Sequence, residues 1–188
     1  MLLQELIDVY EELKKYVYVI ERGKFKPIII RFNNSNFYHL IGLHKTNVNI
    51  FFPKNIKLQD KRYKYMKKNV EKFNSIILDQ IRDKDTLELR VKTFSNILNL
   101  LKGNGTCLYD TKKGAPGSMY DGDYALHKNC ENIYCVLGLK EDPINGENTY
   151  APISWMASTR PNKIISNKPS KYFDKILAIP ITTNLDDE

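Results

Sequence analysis

The sequence is poor in the residues that staple or metallate a fold. Its 188 residues include only three cysteines, Cys107, Cys130 and Cys135, and three histidines. No CxxC pair occurs, and no Cys/His spacing suits zinc. A disulfide framework is therefore not expected. The thiols read as reduced, in a cytoplasmic setting, with Cys130 and Cys135 free rather than bridged. No stretch approaches the ~18 consecutive apolar residues of a membrane span, so no membrane partner is expected. No GxGxxG or Walker A sequence follows a strand-like run, which disfavours a dinucleotide-binding or P-loop fold. The N-terminal MLLQELIDVYEELKKY has early acids and no basic n-region or small-residue cleavage site. It is not read as a signal peptide, and export is not expected. Acid is also scarce relative to base. Asp plus Glu number 22 against 29 Lys plus Arg, giving +7 and a pI near 9.1. Such a balance suggests an anionic partner without naming it.

With 42% hydrophobic residues, the chain is too apolar for disorder and long enough to bury a core unaided. Leu3, Leu6, Ile7, Tyr10, Leu13 and Val17 recur at helical spacing. Tyr16–Ile20 and Pro27–Phe32, separated by a turn at Gly23, predict a hairpin. Asn33-Asn34-Ser35 then offers a helix N-cap for the decapeptide NFYHLIGLHK, Asn36 to Lys45. A long amphipathic helix is predicted over Asp60–Arg82, with Tyr63, Met66, Val70, Phe73, Ile77 and Ile81 inward. Another follows from about Thr86 to Lys102, with Leu87, Val91, Phe94, Leu98 and Leu101 inward. Asp85 and Glu88 have capping-box spacing before it, and Gly103 is a stop. Beyond Gly103 short β-rich runs alternate with turn clusters, which argues for an antiparallel sheet. The expectation is one α+β domain over 1–188: helix-rich 1–103, sheet-rich 104–183 and an acidic tail 184–188.

Two of the three histidines, His39 and His44, fall in one decapeptide. Five residues apart on a helix, they would diverge by roughly 140°. They can converge only if the helix ends between them, as Gly42 permits. His44 shares a face with Phe37, Leu40 and Ile41 and also reads as a packing residue. His39 escapes that stripe, as either a catalytic or a surface histidine. His127 falls in the strand-like YALHK and reads as structural.

These residue types suit metal-free RNA cleavage, though a basic protein with histidines is common. Cleaving RNA without a metal requires a base for the 2′-hydroxyl proton and an acid for the leaving 5′-oxygen. Donors must also stabilise the charge on phosphorus. Histidine suits either proton role. Lys45, Arg160 and Lys163 are available cations, and Tyr124 and Ser154 are candidate hydrogen-bond donors. Metal-dependent cleavage would instead need clustered carboxylates. Asp121 and Asp123 flank Gly122, where a turn is as plausible as a strand, and no further acidic motif follows. From Lys57 to Lys72, seven basic and two acidic residues carry +5 of the net charge. That face is either a diffuse attractor of phosphate or simply the solvated side of a helix.

Five segments give these features a context: KPIIIRFNNSNFYHLIGLHK (26–45), DGDYAL (121–126), IYCVLGL (133–139), YAPISW (150–155) and KILAI (175–179). In this order the chain resembles the phage-type barnase–EndoU–colicin–RelE-like nucleases, fourth group. The resemblance covers most of the chain, and its most specific part is NFYHLIGLHK. It implies a small metal-independent ribonuclease fold without cofactor, with N-terminal helices on an antiparallel sheet whose open face binds RNA. It also implies a toxin or phage/mobile-element conflict role, with a cognate inhibitor as a candidate partner. By position, the implied catalytic set is His39, Asp123, Tyr124 and Ser154. His44, Lys45, Arg160 and Lys163 are the expected RNA contacts. Trp155 follows Ser154 where Phe is more usual. The alternatives are a catalytically idle module of the same fold that binds nucleic acid or protein, and an interaction protein with no nucleic-acid role.

Overall fold

Apolar residues at positions 3, 6, 7, 10 and 13 close one face of the first helix, α1 (Leu3–Lys14), and all five are buried. The computed structural model of the chain describes residues 3–81, 85–111, 122–160 and 173–182, with the side chains at 80, 81, 85 and 86 outside that description. Asp121, Lys163, the cap expected at Asp85 and the acidic tail lie outside the described residues.

The hairpin forms as β1 (Tyr16–Arg22) and β2 (Phe25–Ile30), with Gly23 at φ +56° in its turn. Helix α2 (Asn34–Leu40) then opens on a reciprocal capping box. Asn33 caps the N3 backbone, and Asn36 Oδ1 accepts from the Asn33 N–H at 2.8 Å. Two short 3-10 turns follow, Leu43–Lys45 and Asn47–Phe51.

The helical segments are shorter than the apolar periodicity predicts. The stretch expected as one helix over Asp60–Arg82 is α3 (Gln59–Lys68) and α4 (Val70–Ile81). They break at Asn69, whose backbone leaves the helical region and whose side-chain N–H donates to the Tyr65 carbonyl at 2.8 Å. Asparagine competes for backbone partners in this way. The apolar stripe crosses the break: Tyr63, Met66, Phe73 and Ile77 are buried. The next predicted helix also divides, into α5 (Asp85–Lys92) and α6 (Asn96–Leu101). Thr93 Oγ1 donates to the Leu89 carbonyl at 2.7 Å at that junction. Gly103, at φ +82°, ends α6 as expected.

Five more strands follow: β3 (Cys107–Asp110), β4 (Tyr124–Cys130), β5 (Ile133–Glu141), β6 (Thr149–Ser158) and β7 (Lys175–Pro180). All seven share one sheet in the order β3-β4-β5-β6-β2-β1-β7. The architecture is α+β, but the sheet is mixed rather than purely antiparallel. β2 pairs with β6 in parallel, Ile30 opposite Tyr150, and the N-terminal hairpin completes the sheet instead of standing apart from it.

One face of this sheet carries the main core. Leu126, Leu137 and Trp155 stand in lateral register on it, and Trp155 meets Phe94 edge-on at 6.4 Å. Phe37 of α2 packs on Tyr10, Tyr63 and Phe94, so α1, α2, α3 and the α5–α6 junction cover that face together. The residues between them in sequence point the other way. Tyr109, Ala125 and Val136 form a separate small cluster there, with Cys107 and Met156 against it.

Candidate functional site

Helix α2 stops at Leu40, and the chain turns through Gly42 in the left-handed region at φ +82°. A non-glycine residue resists that conformation. The turn swings His44 back toward the helix end, so the imidazoles of His39 and His44 lie 4.7 Å apart between centroids with planes inclined at 40°. This is the geometry that a helix ending between them permits. The structure therefore brings together His39, His44 and, next in sequence, Lys45.

Two further residues complete the cluster. The amide Nε2 of Gln59, in the first turn of α3, lies 2.6 Å from His39 Nε2. An amide presents a donor and an acceptor at adjacent corners, so one half-turn matches it to neutral imidazole or to imidazolium. Arg90 of α5 is 8% exposed. Its Nη1 would lie 3.0 Å from a Cβ added to Gly42, and Leu87 Cδ1 only 2.5 Å. Gly42 thus makes room for Arg90 as well as for the turn.

The cluster is electropositive. Partial burial lowers the His39 pKa, opposed by its hydrogen bond to Gln59. His44 keeps considerable contact with water, but partial burial of the ring, then His39, Arg90 and Lys45, bring its pKa down to about 4. Partial burial and Arg90 also lower Lys45. Arg90 is itself lowered, through burial. Among the described residues no carboxylate acts on His39, His44 or Arg90. Nor do three His, Cys, Asp or Glu side chains among them come together to hold a metal ion.

The other expected site residues lie elsewhere. Tyr124 stands opposite Leu139 on the helix-covered face, where its hydroxyl accepts from Arg22 Nη1 at 3.3 Å and its ring meets Tyr150 at 5.3 Å. Asp123 Oδ2 accepts the Glu141 backbone N–H at 2.7 Å, tying the start of β4 to the end of β5. Ser154 stands opposite Gly138, which stands opposite Ala125. Its neighbour Trp155 points into the core, so Ser154 faces the reverse side of the sheet, away from α2. Its hydroxyl is buried without a hydrogen-bond partner. Expecting His39 and Ser154 to share one site is thus corrected by strand alternation: the sheet lies between them. Arg160 is exposed just beyond β6, its backbone N–H donating to Ser158 Oγ at 3.1 Å. Lys61, Lys64, Lys68 and Lys72 are exposed along α3 and α4.

Sequence reasoning missed Arg90 and Gln59. Arg90 carried a legible signal: it falls three residues after Leu87 and four before Phe94, on the apolar face of its helix. Gln59 carried none. On the reverse face, His127 is 9% exposed and stacks on Tyr134 at 5.8 Å, and neither ring nitrogen has a partner.

Among the described residues no helix is long and apolar enough to cross a membrane. Neither the curated proteins nor the solved structures give a match. A family profile, however, matches residues 2–180, nearly the whole chain, strand hairpin, histidine turn and all seven strands included. By that match the chain belongs to the phage-Barnase-EndoU-ColicinE5/D-RelE like nuclease4 family.

Proposed function

We propose that the protein is a metal-independent endoribonuclease whose reaction centre is the His39–His44 pair. The observation that carries this reading is the convergence of the two rings, 4.7 Å apart, beside two cations. His44, held largely neutral near pH 7, takes the proton from the ribose 2′-hydroxyl. The 2′-oxygen attacks phosphorus, and His39 gives a proton to the departing 5′-oxygen. The Gln59 amide, turned to present its carbonyl, supports the His39 imidazolium before that transfer. The products are a 2′,3′-cyclic phosphate and a free 5′-hydroxyl, so atoms and charge balance without a metal. Asp123 and Tyr124 take supporting positions in the sheet, and Ser154 takes no part.

The family description names phage nucleases, and a chain with three free cysteines suits a reducing compartment. The proposed setting is therefore a cytoplasmic toxin of phage or mobile-element conflict, with RNA as substrate and an inhibitor protein as partner.

The test is incubation of a labelled oligoribonucleotide with purified protein in EDTA. The expected result is cleavage to 2′,3′-cyclic ends, abolished by a single 2′-deoxy substitution at the cut. Intact RNA, or cleavage that survives the 2′-deoxy substitution, sinks the reading. RNA binding that persists in His39→Ala without cleavage by either protein selects a catalytically idle binding module instead. In cells, wild-type expression should arrest growth and His39→Ala should not.

A further inference from the structure

Arg90 is a buried residue, 8% exposed, and among the described residues no carboxylate acts on it, which is an incomplete arrangement. Buried charge is costly unless paired, and proteins normally supply the counter-charge nearby. Here the surroundings do the opposite. The groups acting on Arg90's neighbours are cations, with Arg90 lowering both His44 and Lys45. Gly42 gives up a side chain at the one place where it would press on Arg90 Nη1 and Leu87. α2 and α5 both pack on β6, which fixes Arg90 relative to the histidine turn.

We infer that Arg90 is a seat for an anion from outside the chain, a phosphate group gripped by the planar guanidinium beside the His39–His44 turn. This deepens the nuclease reading and rests on it for the identity of the phosphate as the scissile one. Arginine suits the role because its fork of N–H donors matches two phosphate oxygens at once, whereas lysine offers a point charge. Gly42 is the positioning residue: it lets the guanidinium lie under the turn. Lys45, next in sequence to His44 and exposed, adds attraction, while the bound phosphate holds the attacking and leaving oxygens between the two imidazoles.

The chain contains three histidines, which makes the test direct. Inorganic phosphate is titrated into the folded protein while the three imidazole C–H signals are followed by NMR. His39 and His44 should shift together and saturate. His127, on the reverse face, should stay in place and serve as the internal control. Arg90→Met should weaken phosphate binding at least tenfold with the circular dichroism spectrum unchanged. Arg90→Lys, which keeps the charge and is the variant to rely on if the Met variant does not fold, should weaken it at least threefold. Phosphate affinity within twofold of wild type in either folded variant overturns the seat. So does an equal, unsaturating drift of all three histidine signals. The two readings fail separately. RNA cleaved by a protein whose histidines ignore phosphate leaves the nuclease and removes the seat. Saturable phosphate binding with RNA left intact does the reverse.

Discussion

His39 and His44 face each other across the left-handed turn at Gly42, their rings 4.7 Å apart. Groups this close act as one unit. Replacing either with Ala should lower cleavage by about 10²–10⁴-fold, the usual worth of a positioned acid or base. The double variant should be little worse than the poorer single one, because the remaining partner cannot complete the proton relay alone. Single-turnover rates on a short RNA measure this. Additive losses in the double variant would show that the residues work independently.

The same contact makes the fold sensitive to mild acid. Burial, His39, Arg90 and Lys45 lower the His44 pKa to about 4, and burial lowers that of His39. In the unfolded chain both titrate near 6.5. Below about pH 6.5 the unfolded chain therefore binds more protons than the folded one, and stability falls with pH down toward the folded values. Above that window the penalty is absent. Glu11, held down to about 2 against the pull of its own partial burial by Lys14, Tyr63 and Lys67, titrates lower and leaves the range from 6.5 to 5 to the histidines. Urea midpoints at pH 7.0, 6.0 and 5.0 should decline for the wild type and decline less for His44→Gln. Parallel curves would refute the linkage.

Trp155 is fully buried against Phe94, yet its indole N–H has no partner. An unpaired buried donor costs about 1–3 kcal/mol, which offsets part of the packing gain. Trp155→Phe loses volume but also removes that donor, so it should cost less than about 1.5 kcal/mol. Trp155→Ala, which leaves a cavity, should cost about 3–5 kcal/mol. Chemical denaturation of both variants decides this. A Phe variant as damaged as the Ala variant would show that the N–H carries no penalty.

Ser154 lies across the sheet from the histidines with its hydroxyl buried and unpaired. Ser154→Ala should leave RNA cleavage within twofold and stability unchanged or slightly raised. A loss of cleavage comparable to that of His39→Ala would place the reaction on the reverse face instead. The companion variant His127→Phe probes that face independently, through its stack on Tyr134.

Much of this was legible in the residues. The hairpin at Gly23, the capped start of α2, the stop at Gly103 and the run of β segments follow from turn chemistry and periodicity. So does the condition for His39 and His44 to meet. The helix breaks were not legible, because the apolar stripe runs through Asn69 and Thr93 without interruption, and only the backbone bonds of those side chains reveal the ends. The parallel β2–β6 pair was hidden for a different reason: partners some 120 residues apart leave no local signature. The separation of Ser154 from His39 depends on which face each strand residue takes. A single bulge between Gly138 and Leu139 is enough to obscure that from sequence alone. Arg90 could have been suspected from its place on an apolar stripe, but its relation to Gly42 depends on the tertiary fold.

The sheet's strand order also sets a schedule. β1 gains its second neighbour only when β7 arrives, Tyr16 opposite Pro180, and β2 waits for β6. Closing such long loops is slow and follows the local helices and hairpins. The histidine turn and Arg90 are translated before β6, on which α2 and α5 find their common support. A ribosome making this protein therefore carries the histidine turn without its support until β6 has emerged. The histidine pair and Arg90 are thus fixed relative to each other only once the later strand is made.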